Sequence, residues 1–300
     1  MVQLWGSFFR KKIYQETSMK LKFVLSAALM ALSVSAVARP TSMAYVDLDS
    51  IRPASAEELY NLAATDGCSA GYVDIGRPKE AKAVILTNGH CVGSKLVARM
   101  AWVNVATSKG FTLFHRSGNR LNVTATKLLY ATLMDTDIAF FELKETNEEL
   151  LAKGFVPFPF FQGPAPLGRQ VRVTSGYWKE TQECVLQRRV FKLLEGFGSD
   201  ISDPSVATGA LALSADCKIR GGYSGTPVID SATNSVIAIA FTGAEGTSAC
   251  AERSPCEQDP QGRTTYHRGV SYAARVDQLQ DCIYGGNFNL TLPGCTLYRK

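Results

Sequence analysis

The sequence predicts an all-β fold, a single β-rich unit in which two packed barrels sharing an interface fit better than a chain of modules. Three observations predict it. Short runs rich in β-branched and aromatic residues recur along the chain, with Gly, Asn, Asp and Pro between them. Helical patterns are few and short. No low-complexity linker and no obvious repeat divides the chain. A make-up of 46% hydrophobic and 20% charged residues is that of an ordinary globular protein, which excludes a disordered tail or a collagen.

Taken from the N-terminus, the first element is a leader rather than part of the fold. "MKLKFVLSAALMALSVSAVARP" opens at Met19 with Lys20 and Lys22, turns apolar from Phe23, and ends in Ala36-Val37-Ala38 before Arg39-Pro40. A charged start, an apolar middle and an A-x-A end mark a secretory signal. The apolar run is short for the ~20 residues of a membrane span, so no stable membrane anchoring is expected. Residues 1–38 are read as leader and signal peptide, with Met19 as the natural start, and 39–300 as the functional domain. Removing 1–38 takes away five positive charges and one negative, so the net charge of +5 falls to +1. That balance offers no basis for a nucleic-acid partner.

Strands are then predicted at 82–89 (KAVILTNG), 99–108 (RMAWVNVATS), 137–144 (DIAFFELK), 169–178 (RQVRVTSGYW), 226–230 (TPVID), 234–243 (NSVIAIAFTG) and 268–276 (RGVSYAARV). Helical signals lie at 55–63 (SAEELYNLA), at 146–154 with Thr146 as N-cap and Gly154 as terminator, and in DQLQDCIYG near the C-terminus. All eight cysteines follow the leader, and an even number after an export signal points to disulfides and a secreted protein, extracellular or periplasmic. Zinc is disfavoured: no C-x-x-C occurs and only His90, His115 and His267 are available, so neither metal nor organic cofactor is expected. Proximity favours Cys250 with Cys256 and Cys282 with Cys295.

Three short segments carry chemistry. A serine hydroxyl is a poor nucleophile at neutral pH and needs a base, a carboxylate to orient the base, and donors for the oxyanion. His90 ends the apolar run AVILTNGHCV, where a rigid strand would aim an imidazole; the plainer reading is a buried structural histidine. Asp137 abuts the apolar run IAFFEL, where a bordering charge requires a partner. Asp135 lies two residues earlier, but Asp137 adjoins the strand directly. Ser224 sits in Gly221-Gly222-Tyr223-Ser224-Gly225, whose glycines permit positive φ and let the N–H groups of Gly222 and Ser224 converge; taken alone this is also an ordinary Gly/Ser turn.

Together these segments resemble the trypsin-like (chymotrypsin-fold) serine peptidases over roughly residues 66–280. The family's Thr-Ala-Ala-His-Cys is matched by Thr87-Asn88-Gly89-His90-Cys91, its Asp-Ile-Ala-Leu by Asp137-Ile138-Ala139-Phe140, and its Gly-Asp-Ser-Gly-Gly-Pro by Gly222-Tyr223-Ser224-Gly225-Thr226-Pro227. The resemblance implies two packed six-stranded antiparallel β-barrels with a C-terminal helix at RVDQLQDCIY. It implies a His90, Asp137, Ser224 triad in the cleft, an oxyanion hole from Gly222 and Ser224, and substrate backbone against Phe241, Thr242 and Gly243. It also implies that Cys68 partners Cys91. Cys217, with Cys184 as its partner, is similar to a cysteine of the glutamyl-endopeptidase branch. The expected activity is endopeptidase cleavage of polypeptide substrates by a monomer.

Two departures modify this. Tyr223 replaces the family's Asp, so the ion pair with a newly cut N-terminus cannot form in the same way, and activity without an activating cleavage is expected. Lys218 stands where trypsin carries a pocket Asp; with Arg220 nearby and His267 loosely aligned, it either favours acidic substrate side chains or points to solvent, as charged residues mostly do. Two rivals are a secreted pseudopeptidase that binds partners through the same cleft, and an esterase of the α/β-hydrolase kind. The latter requires the chain order Ser, acid, His and a G-x-S-x-G turn, whereas the turn here reads Gly222-x-Ser224-x-Thr226.

Overall fold

A computed structural model of the chain describes residues 51–93, 96, 99–197, 200–246 and 250–299. The expected leader, residues 1–38, lies outside them. The first six barrel strands are β1 (Leu62–Thr65), β2 (Cys68–Val73), β3 (Lys82–Thr87), β4 (Ala101–Phe114), β5 (Arg120–Thr132) and β6 (Ile138–Thr146). They close in the order β1-β2-β3-β6-β5-β4, with Ala63 opposite Leu113 at the seam. Tyr72, Ile85, Phe111, Leu113, Leu128 and Phe141 fill the interior.

The next six are β7 (Gln170–Ser175), β8 (Glu180–Arg189), β9 (Leu211–Leu213), β10 (Pro227–Asp230), β11 (Val236–Gly243) and β12 (Ser271–Arg275). Their pairings run β7-β8-β9-β12-β11-β10 and return from β10 to β7, which completes a second ring. Both rings therefore use one strand order. Val171, Val173, Leu186, Leu213, Val228 and Ala240 pack inside the second ring. A further core draws Leu62, Val84, Leu86 and Phe140 from the first set of strands and Ile239, Phe241, Tyr272 and Ala274 from the second, and so joins the two rings. Burial of this shared apolar surface, at about 25 cal/mol per Å2, holds the two rings together.

Several expectations are adjusted. The 55–63 pattern yields one helical turn, Ala56–Leu59, capped by Ser55 and Glu58; Asn61 at φ 64° then turns the chain into β1. Thr146 does cap Asn147–Ala152, with Gly154 following at φ 84°. The C-terminal helix is instead a 3-10 segment, Asp277–Cys282, because the chain passes directly into the short strand Ile283–Tyr284 and Cys282 is tied to Cys295. An inserted sheet was not foreseen: Lys192–Phe197 pairs with Asp200–Thr208 and with Cys256–Gln258. All four disulfides form as expected: Cys68–Cys91, Cys184–Cys217, Cys250–Cys256 and Cys282–Cys295. No helix among the described residues is long and apolar enough to cross a membrane.

Candidate active site

β3 runs buried to Thr87 and breaks at Asn88-Gly89 into a 3-10 turn that begins with His90. Gly89 is required there, since a Cβ would lie 2.1 Å from the Thr132 carbonyl oxygen and 3.0 Å from Asp137 Oδ1. Asp137, 2% exposed at the mouth of β6, holds His90 twice. The His90 backbone N–H donates to Oδ1 at 3.0 Å, and Nδ1 is hydrogen-bonded to Oδ2 at 2.6 Å. Burial opposes a charge on the imidazole, but attraction from Asp137, the hydrogen bond to it, and the charges of Glu195 and Glu252 prevail, raising its pKa above the ordinary 6.5. Asp135 does not take part: it sits at φ 64° in the bridge to Ala207 and accepts from Thr208 Oγ1 at 3.4 Å.

The serine is carried by the turn between β9 and β10. Its carbonyl accepts from the Ser69 N–H at 2.8 Å, and Gly225, at φ 83°, lies so close to Ser69 O and Thr87 Oγ1 that a Cβ would be 2.1 Å from each. Ser224 Oγ donates to the Phe241 carbonyl at 3.4 Å. Asn88, fully buried, links the turn to the carboxylate strand: its Nδ2 donates to Asp137 O at 2.7 Å, and its Oδ1 accepts from Gly225 N at 2.5 Å. Among the described residues the N–H groups of Gly222 and Ser224 have no acceptor.

His90 and Ser224 face one cavity of about 200 Å3, whose wall includes Gly222, Phe241, Thr242 and Gly243. Six of the eight residues singled out from the sequence thus line one cavity, and a seventh, Asp137, lies immediately behind His90. Lys218 does neither: it is exposed, its Nζ donates to Ala215 O at 2.6 Å and its backbone N–H to Gln182 Oε1 at 2.8 Å, and it lies outside the cavity wall. Arg220 reaches the cavity but is paired with Glu180 at 2.5 Å. His267 lies 3.8 Å from Glu257, away from the cavity wall.

Sequence reasoning missed Glu195, which comes from the inserted sheet to the cavity wall. It is 7% exposed and accepts at Oε1 from Thr242 Oγ1 and from the Arg253 N–H, each at 2.8 Å. Burial nonetheless pushes its carboxyl up to about 7. Nothing in the local run KLLEGF signals this, since the residue acts only through a strand pairing formed across the fold. Cys68, His90 and Cys91 also lie within metal-ligand distance of one another, but the two sulfurs are bonded to each other and so unavailable as thiolates.

This geometry defines a class before any comparison is made: a two-barrel β fold with an imidazole–carboxylate pair and a serine turn at one cleft. The sequence matches the trypsin-like peptidase domain over residues 71–239, more than half of the chain, and the chain belongs to that family. No curated protein sequence matches it. Among solved structures it is similar to neuropsin, a serine protease expressed in the limbic system of mouse brain, at 11% identity and TM-score 0.44, covering 76% of this chain and 95% of that one. It is also similar to the inactive form of a serine-to-alanine mutant of Rv3671c from M. tuberculosis H37Rv, at 11% identity and TM-score 0.40, covering 72% and 81%.

Proposed function

We propose that the chain is a secreted serine endopeptidase that cleaves polypeptides through an acyl-enzyme. The observation that carries this reading is the 2.6 Å pair of His90 Nδ1 with buried Asp137, facing the cavity that also holds Ser224. Ser224 Oγ attacks the peptide carbonyl while His90 Nε2 takes its proton. Asp137 keeps the other ring nitrogen protonated and stabilises the imidazolium. The N–H groups of Gly222 and Ser224 receive the oxyanion, and their lack of any partner among the described residues means that none has to be broken first. The imidazolium then protonates the leaving amine, and a water repeats the sequence on the ester.

Substrate backbone lies along Phe241, Thr242 and Gly243 at the edge of β11, where a Cβ on Gly243 would meet Ile219 O at 2.2 Å. The leader and four disulfides support export. The test is labelling by a fluorophosphonate probe, expected for the oxidised, folded protein and abolished by Ser224→Ala and by His90→Ala. Absence of labelling in the wild type would turn the reading to a binding protein built on the same fold.

A further inference from the structure

The proposed oxyanion donor Gly222 follows another glycine, so the peptide that joins them has little conformational preference of its own. Gly221 precedes it, its own φ is 93°, and a peptide between two glycines turns over at low cost. In a trans peptide the carbonyl and the following N–H point in opposite directions, so whatever holds Gly221 O decides where the Gly222 N–H points.

Among the described residues one side-chain group holds it. Trp178 Nε1 donates to Gly221 O at 2.7 Å. The indole comes from the turn between β7 and β8, and that turn is itself fixed to the first barrel. Gly176 packs so closely on Ala63 O that a Cβ would be 2.2 Å away, the Tyr177 N–H donates to Ser69 Oγ at 3.1 Å, and the Trp178 N–H donates to Ser175 Oγ at 3.1 Å. The ring is clasped as well: the Arg220 guanidinium lies 4.6 Å from its centroid and is paired with Glu180, while Tyr177 meets it edge-on at 5.0 Å. On the other side of Gly222 the carbonyl is held by Ser69 Oγ at 2.8 Å, and the Tyr223 carbonyl is engaged by the Thr226 N–H at 2.9 Å.

We infer that Trp178 is a positioning residue which fixes the Gly221–Gly222 peptide with its N–H toward the cleft, so that the oxyanion hole stands formed before substrate arrives. This rests on the peptidase reading. It also fits the expectation that a chain with Tyr223 before the serine needs no cleaved terminus: Tyr223 is buried and donates to Glu180 Oε2 at 3.3 Å, the same carboxylate that anchors Arg220 over the indole.

The experiment is Trp178→Phe, which keeps a ring and removes the N–H. Kinetics on a peptide substrate are combined with affinity for a peptidyl trifluoromethyl ketone, whose serine adduct places an oxyanion in the hole. The expected result is a kcat about tenfold lower with KM within about twofold, a matching loss of ketone affinity, and an unchanged melting temperature. Unchanged kcat and ketone affinity would overturn the inference, as would a loss that tracks a lowered melting temperature. If the wild-type protein labels with no fluorophosphonate, it is the peptidase reading that fails. The crystal structure of Trp178→Phe then decides the inference, a turned-over Gly221–Gly222 peptide upholding it and an unmoved one refuting it.

Discussion

The two barrels share one strand order but hold their chemical groups by different means. The first presents His90 and Asp137 at strand ends, braced by the Cys68–Cys91 disulfide and by two contacts to one buried carboxylate. The second presents Ser224 on a glycine-rich turn, placed by hydrogen bonds donated by Ser69 and Trp178 and one accepted by Asn88, each distant in sequence. A proton acceptor needs a fixed ring and a charge beside it, which rigid strands and a covalent clip supply. An oxyanion hole needs backbone N–H groups free of ladder pairing, and a turn leaves them so.

The largest effect expected is on the first barrel's chemistry. Asp137→Asn lowers kcat by about 10^4-fold, measured on a peptide substrate, because the amide no longer selects the imidazole tautomer that accepts from Ser224. Removing the clip in Cys68→Ala/Cys91→Ala costs about 3 kcal/mol in denaturant unfolding, given the sequence separation of 23 between the cysteines. A much smaller cost would mean that the hydrogen bonds of Asp137 alone hold the His90 turn.

Glu195 tests the inserted sheet that lies against both. Its folded pKa, about 7, is above the ordinary 4.5. The unfolded chain therefore releases this proton first, and native stability falls as pH rises between those values, by on the order of 3 kcal/mol in full. Glu195→Gln removes the penalty, so its melting temperature matches the wild type near pH 4.5 and exceeds it at pH 8. An advantage greater at low pH would contradict the assignment.

Asn88→Ala probes the link between the barrels. It leaves Gly225 N its bond to Ala240 O at 3.0 Å but strips the donor from Asp137 O, and a loss of about 1–3 kcal/mol in stability is expected. The smallest effect is a displacement of the pH profile. With the His90 pKa raised, and activity dependent on its neutral form, kcat/KM falls on the acid side with a midpoint above 6.5, and a midpoint at or below that value would count against the pairing with Asp137.

Much of the first barrel's half of the site is legible because strand ends are legible: apolar runs reach His90 and leave from Asp137, and the residue types do the rest. The strands at β3, β6, β10, β11 and β12 were all visible as β-branched runs. β8 was not, since ETQECVLQRR mixes charges with its buried Cys184 and Leu186 and carries no clean alternation. For Lys218 the sequence leaves a pocket lining and a solvent-facing side chain both open, and the structure has the second: counting positions from Ser224 locates a backbone, while the side chain's direction is fixed only by neighbours such as Ala215, which sequence does not place beside it.

By itself the sequence determined the all-β class, the cysteine pairing by proximity at 250–256 and 282–295, and which three side chains to watch. Those features depend on local pattern and residue chemistry. The tertiary structure alone decided that both rings share one topology, that Glu195 reaches the cleft, and that Asn88 and Trp178 grip the serine turn. The physical reason is that a hydrogen bond is specified by geometry within a few tenths of an ångström, and between residues such as Trp178 and Gly221 that geometry exists only once the strands have closed.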